Sequence, residues 1–185
     1  TTGWLELHVE NGAEVWYPAP QPAEDMASAM APNASIGATL PLHLKGAVWV
    51  NRAMKLLERG RILTFDYGVE SSEMFDGRPL GEWLRTYKDH RRAGTPYSDP
   101  GTCDITCDVA FDQLPGSPTI YLQSEWLASK GLDTMTEWAQ EKWQDSAASP
   151  DSTAVAARQV LTEAAALTDR TGLGAFLVAE WQISD

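Results

Sequence analysis

The sequence predicts an α/β protein, and three of its segments carry that prediction. Near the N-terminus, apolar and polar residues alternate on both sides of Asn11-Gly12, as they do in paired strands. Residues 47–57 have apolar side chains at helical spacing, and the short apolar run Ile62–Phe65 follows soon after them. An alanine-rich segment over 152–167 predicts a long helix. A helix that leads through a short turn into a buried strand is half of an α/β unit, so the fold class follows.

The first element is a predicted β-hairpin. Residues 5–9 alternate between apolar and polar, so this strand is expected to be half-buried. Asn11-Gly12 connects it to a second strand over Ala13–Tyr17, because a type I′ turn needs positive φ at both central positions. His8 lies on the polar face, and we interpret it as a solvated surface histidine.

The next elements lead into the most informative part of the chain. The helix with the apolar stripe is expected to end at Gly60, in the left-handed conformation that favours glycine. The strand after it is apolar on both faces, which is typical of a buried parallel strand. Asp66 follows that strand, and open α/β sheets bind ligands beyond the carboxyl ends of their strands. The predicted elements are a helix over 23–31, a loop over 32–41, a helix over 47–57 and a strand over 62–65.

The second half of the chain predicts shorter strands and further helices. Residues 83–87 fit a helix and a strand equally well. Ser124 and Asp133 are expected to cap two helices, the second of which has Met135, Trp138 and Ala139 as its apolar side. The other predicted elements are a loop over 91–102, a strand over 105–109, the helix over 152–167, a turn over 171–174 and a closing strand over 176–181.

Composition sets limits on the class of protein. The chain has 185 residues, a net charge of -12 and 43% hydrophobic residues. Such an acidic chain disfavours nucleic-acid binding, and no run approaches the roughly 20 apolar residues of a membrane helix. We expect a single domain over 1–185, with a hairpin and proline-rich loop over 1–22 and an α/β core with helical additions over 44–185. A cytoplasmic location is the default expectation. One basic cluster stands out, formed by Arg85, Lys88, His90, Arg91 and Arg92.

Three motifs invite a chemical reading. Cys103 and Cys107, with His90 upstream, resemble part of a metal site, but structural zinc needs four ligands, so we expect ordinary thiols and no metal. The G-x-G at 172–174 follows a predicted helix and precedes a strand, which reverses the context of a cofactor loop and favours a turn. His90 with Asp104 is a candidate for an oriented base, as in a hydrolase.

An ordered set of motifs across almost the whole chain resembles one known family. The matching segments are Gly60–Gly68, Leu84–Tyr87 with His90, Pro100-Gly101 with Asp104-Ile105-Thr106, Gln123 with Trp126-Leu127 and Gly131-Leu132, and Gly172–Phe176. Together they resemble the MidA-like family of S-adenosylmethionine (SAM)-dependent methyltransferases. That family includes the mitochondrial arginine methyltransferase that assists assembly of respiratory complex I.

The resemblance implies the fold and function of a C-terminal methyltransferase half. The implied fold is a partial class I, Rossmann-like sheet with flanking helices and a closing antiparallel strand. The implied activity is SAM-dependent methylation of a protein side chain, and the implied target is an arginine nitrogen on a basic segment of a partner protein. The family's glycine-rich SAM loop and acidic ribose-binding residue match nothing here, so this chain alone is expected to be inactive and to bind SAM poorly. Asp108 departs from the family, which often has histidine there.

The resemblance also implies a set of site residues that are expected to converge on one cleft. The catalytic candidates are Asp66, His90 and Asp104, the substrate-binding candidates are Tyr87 and Thr106, and the cofactor-binding candidates are Tyr67 and Gly68. The alternative is that these residues form turns and caps. Two other functions stay open: a non-catalytic binding or assembly module derived from this fold, and a metal or His-Asp hydrolase.

Overall fold

The computed structural model describes residues 3–146 and 148–184, which form two compact units. Within these residues, the first unit consists of 3–60, 68–118 and 183–184. The second unit consists of 61–67 and 119–182. The single-domain interpretation of the sequence stays a prediction.

The first unit combines three small sheets with short helices. Its sheets are the antiparallel pair β1–β2, the parallel pair β4–β8 and the antiparallel sheet β6-β5-β7. The strands are β1 (Leu5–Glu10), β2 (Ala13–Pro18), β4 (Gly68–Val69), β5 (Leu84–Lys88), β6 (Arg91–Arg92), β7 (Asp104–Cys107) and β8 (Val109–Ala110). The helices are α1 (Gln21–Met30), α2 (Leu44–Met54) and α3 (Leu80–Trp83), with 3-10 turns over Ser72–Phe75 and Phe111–Gln113.

The predicted hairpin is confirmed, but its predicted burial is wrong. Asn11 and Gly12 have φ of 52° and 78°, the two positive values of a type I′ turn, and β1 pairs with β2 along its whole length. Leu5 and Val9 are nevertheless 43% and 49% exposed. Alternation records which side chains share a face of a strand, and it carries no information on whether another element covers that face. His8 is exposed, as expected.

The helix before β3 (Gly60–Asp66) ends earlier than predicted. α2 stops at Met54, and Gly60, with φ of 143°, opens the strand instead of closing the helix. Leu56 is 84% exposed, so the segment between them buries too little apolar surface to extend the helix. The ambiguous segment 83–87 resolves into both alternatives, because α3 ends at Trp83 and β5 begins at Leu84.

The apolar core of the first unit lies around two aromatic rings. Phe75 and Trp83 are 0% and 5% exposed and pack edge to face, with ring centroids 5.3 Å apart. Val69 and Ala110, from the parallel pair β4–β8, complete this cluster. The guanidinium of Arg78 lies over the Phe75 ring, 5.3 Å from its centroid.

The second unit is a three-stranded sheet with helices. In the order β3-β10-β9, the central strand β10 is antiparallel to β9, so the closing antiparallel strand is confirmed. Val178 and Trp181 of β10 are buried because this strand has a neighbour on each side. The remaining elements are β9 (Thr119–Leu122), β10 (Leu177–Ile183), α4 (Gln123–Ser129), α5 (Leu132–Ser146), α6 (Ser152–Thr168) and a 3-10 turn over Leu173–Ala175.

Three predictions in the second unit are wrong in detail. The strand β3 is not buried on both faces, because Leu63 and Phe65 are 37% and 43% exposed at the edge of the sheet. On α5, Met135 and Trp138 are exposed and Ala139 is the buried residue of the predicted apolar side. The residue that precedes α4 is Leu122, so Ser124 does not cap that helix.

The structure is a mixed α/β protein with several small sheets and helices. The exact order of strands in a class I methyltransferase sheet stays a prediction. Across 3–146 and 148–184, no helix combines the length and the apolar character needed to cross a membrane.

Candidate functional site

The seven predicted site residues are divided between the two units. Asp66 and Tyr67 belong to the second unit. The first unit contains the other five, which are Gly68, Tyr87, His90, Asp104 and Thr106. Their convergence on one cleft therefore stays a prediction, and the geometry is informative within each unit.

In the second unit, two of the matched motifs meet. Asp66 is the last residue of β3, as predicted, and its Oδ1 accepts a hydrogen bond of 2.9 Å from the backbone N–H of Tyr67. The Tyr67 ring packs edge-on against Phe176, with centroids 5.3 Å apart. Phe176 closes the G-x-G-x-F segment, so the contact places the D-Y-G loop beside that turn.

The G-x-G segment itself has a structural explanation. A Cβ added to Gly174 would lie 2.4 Å from the carbonyl carbon of Thr168, at the end of α6. The backbone N–H of Gly174 also donates to the carbonyl of Asp169. This turn packs against the end of a helix instead of opening one, as the sequence predicted.

Gly68 is required by a close backbone approach. It lies opposite Val109 in the parallel pair β4–β8, and a Cβ at this position would lie 2.1 Å from the Val109 carbonyl oxygen. The space that a side chain would fill is therefore occupied by backbone, not open to a ligand. The role of Gly68 beside a cofactor stays a prediction, and packing already accounts for the residue type.

In the first unit, three predicted residues share one face of the β6-β5-β7 sheet. Tyr87 lies directly opposite Asp104, and Arg85 lies directly opposite Thr106. Because side chains alternate along a strand, these four residues project to the same side. Directly opposite residues have Cβ atoms roughly 5 Å apart, so the exposed Asp104 and the half-buried Tyr87 are cross-strand neighbours on this face.

His90 lies at the tip of the same sheet, in a strained turn. Asp89 and His90 have φ of 49° and 61° between β5 and β6, so both central residues of this turn are left-handed without being glycine. His90 is exposed, and no hydrogen bond or ion pair joins it to Asp104 in the described residues. The oriented His-Asp base of a hydrolase thus has no geometric support here.

A neighbouring ion pair holds the loop between β6 and β7. Lys88 Nζ lies 3.1 Å from Asp99 Oδ2 and 3.3 Å from Thr102 Oγ1. A hydrogen bond from Thr102, followed by the hydrogen bond and charge of Lys88, lowers the pKa of the exposed Asp99 carboxyl. Of the basic cluster seen in the sequence, Lys88 is therefore already paired.

Sequence reasoning missed the ion pairs of a buried carboxylate in this region. Asp108 is buried, its Oδ2 lies 2.8 Å from Arg78 Nη2, and its Oδ1 lies 2.6 Å from Arg85 Nη2. The backbone N–H of Asp108 donates to the carbonyl of Trp83, which extends the β5–β7 register by one residue. The sequence signal for this cluster is Asp108 itself, at a position where the family that this chain resembles often has histidine.

A second polar network, with Ser72 and Gln113 as its buried members, lies in the same unit. Both oxygens of Asp112 accept hydrogen bonds from Ser72, and Gln113 Nε2 donates to Ser72 Oγ and to the carbonyl of Pro41. Gln113 Oε1 accepts from the backbone N–H of His43, which precedes α2. Burial lowers the pKa of the His43 imidazole. Its hydrogen bond to the Asp108 backbone and the charge of Asp112 act in the opposite direction and reduce this shift.

Cys103 and Cys107 are not joined in a disulfide. In the described part of the chain, no group of three or more His, Cys, Asp or Glu side chains is arranged to hold a metal ion. That these cysteines are ordinary thiols stays a prediction.

A donor site of this type needs a glycine-rich loop between a strand and a helix, and the sequence contains none. A Cβ at Gly68 or Gly174 would collide with backbone atoms of this chain. Weak SAM binding by this chain alone stays a prediction.

Comparison with known proteins supplies the family. Residues 1–132 match a protein family described as "Putative S-adenosyl-L-methionine-dependent methyltransferase". No curated protein matches the chain. Two crystal structures of Burkholderia thailandensis proteins from one superfamily are similar to this chain. The first is of an uncharacterized protein, and the second is of a protein bound to S-adenosyl-homocysteine.

These two structures show the fold and its extent. The first has 23% identity and a TM-score of 0.70, and the match covers 97% of this chain and 49% of that protein. The second has 21% identity and a TM-score of 0.70, covering 98% of this chain and 48% of that protein. The chain therefore spans about half the length of each solved relative. With more than half of its residues matched by the family profile, the chain belongs to this family of S-adenosyl-L-methionine-dependent methyltransferases.

Proposed function

We propose that the chain is the substrate-facing part of a SAM-dependent protein methyltransferase that methylates an arginine nitrogen of a partner protein. The observation that supports it is the direct opposition of the exposed Asp104 and of Tyr87 on one face of the β6-β5-β7 sheet. A carboxylate accepts strong, charge-assisted hydrogen bonds from a guanidinium, and an aromatic face favours a nearby cation. A net charge of -12 suits a basic partner segment.

The proposed roles follow from the resemblance to the family. Asp66 or Asp104 holds and orients the guanidinium, Tyr87 and Thr106 bind the substrate, and His90 relays a proton. Tyr67 and Gly68 border the methyl donor. SAM brings its own leaving group, so the protein's contribution is positioning and charge. We expect the donor to need a glycine-rich loop that this sequence does not contain, so no methyl-transfer step is assigned to its residues. A cytoplasmic location is part of the proposal.

The decisive experiment measures methyl transfer by a full-length protein that contains this chain. Labelled SAM is supplied with arginine-containing peptides, and the modified atom is identified by mass spectrometry. Asp104→Asn is expected to lower turnover by at least about 100-fold, the scale of a misplaced substrate. Asp99→Asn is the matched control, since Asp99 is also an exposed carboxylate of the same region and is already paired with Lys88.

Three results would contradict parts of the proposal. Transfer to lysine or to a small molecule would remove arginine as the substrate. Equal turnover of the Asp104 and Asp99 variants would assign Asp104 to structure. A full-length protein that binds partner proteins with no detectable SAM affinity would favour the binding or assembly module.

A further inference from the structure

One face of the β6-β5-β7 sheet carries a row of three residues, one on each strand. Arg92 of β6 lies directly opposite Tyr87 of β5, and Tyr87 lies directly opposite Asp104 of β7. Directly opposite residues project to the same side of a sheet, so a cation, an aromatic residue and a carboxylate share this face. Neighbouring strands are roughly 4.8 Å apart, so the backbones at Arg92 and Asp104 are about 10 Å apart.

The two charged ends of this row have no ion-pair partner within residues 3–146 and 148–184. Both Arg92 and Asp104 are exposed. Arg85, the other charged strand residue on this face, is held by the buried Asp108 at 2.6 Å. The face therefore presents one positive and one negative charge to a ligand, on either side of Tyr87.

A backbone contact orients the guanidinium of Arg92. Its Nη2 donates a hydrogen bond of 2.6 Å to the carbonyl of Gly81 in α3. A guanidinium has five N–H donors, so this bond leaves others available to bind a carboxylate. The carbonyl thus holds the Arg92 side chain without neutralising its charge.

We propose that Arg92 determines which peptides Asp104 binds, because it binds an acidic side chain close to the target arginine. The inference rests on the proposed function, in which Asp104 holds the guanidinium of that arginine. An extended peptide presents alternate side chains to one face, roughly 6.6 Å apart, and the length of these side chains covers the remaining distance to the two charges. A segment with aspartate or glutamate two residues from the arginine therefore fits the row.

The charge of the whole chain gives this one arginine its effect on specificity. With a net charge of -12, the protein attracts basic segments of any sequence. Arg92 reverses that attraction locally, because exposed charges act over a Debye length of about 8 Å at physiological salt. A lysine or arginine beside the target arginine would face Arg92 and be repelled, and such a repulsive element is how an interface rejects the wrong partner.

The test compares peptides that contain one arginine, with glutamate, glutamine or lysine two residues away on both sides. Fluorescence anisotropy measures their affinities for the full-length protein that contains this chain, and no methyl transfer is required. The glutamate peptide is expected to bind about fivefold more tightly than the glutamine peptide, the scale of an exposed charge pair, and the lysine peptide should bind more weakly than both. Arg92→Gln should abolish this preference, Arg92→Lys should keep it, and Arg92→Glu should reverse it.

Arg91→Gln is the matched control. Arg91 is the other residue of β6 and is also exposed, but it lies opposite Lys88, so its side chain projects to the other face of the sheet. This variant should keep the wild-type preference. Asp104→Asn should weaken the binding of all three peptides and leave their order unchanged.

The outcomes separate this inference from the proposed function. Equal affinities for the three peptides, no binding of any of them, or the same loss of preference in the Arg91 and Arg92 variants would overturn the inference. Methyl transfer is measured separately on the same peptides. Preference without transfer leaves the inference intact and removes the methyltransferase proposal, whereas transfer without preference removes the inference alone. If Arg92→Gln fails to accumulate, the reversal by Arg92→Glu is the deciding result.

Discussion

Arg85 Nη2 lies 2.6 Å from Oδ1 of the buried Asp108, although Arg85 is on β5 and Asp108 follows the opposing strand β7. The side chain of Asp108 is 8% exposed and that of Arg85 16% exposed, so water screens this pair weakly. Arg78 approaches the other carboxylate oxygen. One buried carboxylate thus connects the loop before α3 with two strands of the sheet that carries Tyr87 and Asp104.

Removing the charge of Asp108 should destabilise the protein strongly. Asp108→Asn keeps the shape but leaves Arg78 and Arg85 without a carboxylate, so we expect a loss of about 3 kcal/mol in the free energy of unfolding. Urea denaturation measures it. Asp99→Asn removes an exposed partner of Lys88 and should change stability by less than about 1 kcal/mol. Equal losses in the two variants would refute the structural role of the buried cluster.

Gly68 should not tolerate even a methyl group. Gly68→Ala places a Cβ 2.1 Å from the Val109 carbonyl oxygen, and the forced separation of β4 from β8 should destabilise by about 2–3 kcal/mol or more. Gly81→Ala is the control, because nothing lies within 4 Å of a Cβ there and its helical position should gain about 0.5–1 kcal/mol. Thermal denaturation should show a loss of stability for Gly68→Ala and a gain for Gly81→Ala.

Local features of the fold were predictable because they depend on neighbouring residues. The pair Asn11-Gly12 favours a type I′ turn by itself, and this turn joins the two strands of the hairpin. The alanine-rich helix and the turn at Gly174 were predictable for the same reason. The end of α2 was not predictable from neighbouring residues, because it depends on tertiary packing, and Leu56 buries little apolar surface.

The candidate site was only partly predictable, because its geometry depends on strand register. Tyr87 and Asp104 were both named from the sequence, but their direct opposition follows from the pairing of β5 with β7. Asp108 was noted as an unusual residue, yet its arginine partners come from two other segments. The exposure of Phe65 was also mispredicted, since an apolar sequence does not reveal whether a partner strand is present.

The stability of the protein should depend on His43 below neutral pH. Burial lowers the pKa of His43, so the unfolded chain binds its proton first as the pH falls below the ordinary value of about 6.5. The free energy of unfolding therefore rises with pH between the pKa of His43 in the folded protein and about 6.5. This contribution to stability is lost as the pH falls through the same range. In urea denaturation from about pH 5 to about pH 8, the free energy of unfolding of His43→Gln should have a shallower slope against pH than that of the wild-type protein. Identical slopes in the wild-type and His43→Gln proteins would contradict the prediction.

The first hairpin should depend on the left-handed conformation of Gly12. Gly12→Val leaves open space around the side chain but places a β-branched residue at φ of 78°, which should cost about 1–2 kcal/mol. Amide hydrogen exchange of β1 and β2 should accelerate accordingly. Ala13→Val, one residue later in the extended strand, should leave exchange unchanged or slower. Unaltered protection in the Gly12 variant would show that the turn adopts another geometry in solution.

The 185-residue chain alone should bind SAM weakly. It contains no glycine-rich loop between a strand and a helix, and the glycines at 68 and 174 are closed off by backbone. Isothermal titration should give a dissociation constant above about 1 mM. Micromolar affinity would mean that residues of this chain form a donor site of another kind.

The partner exchange at Asp108 has a consequence for folding cooperativity. The continuous segment from Asp104 to Ala110 pairs antiparallel with β5 first and parallel with β4 afterwards. A two-residue parallel pair such as β4–β8 cannot persist alone in water. Its amides should therefore exchange with solvent only when the β5–β7 sheet opens as well. The two sheets would then behave as one foldon with a single opening free energy, hinged at the residue where the strand changes partner.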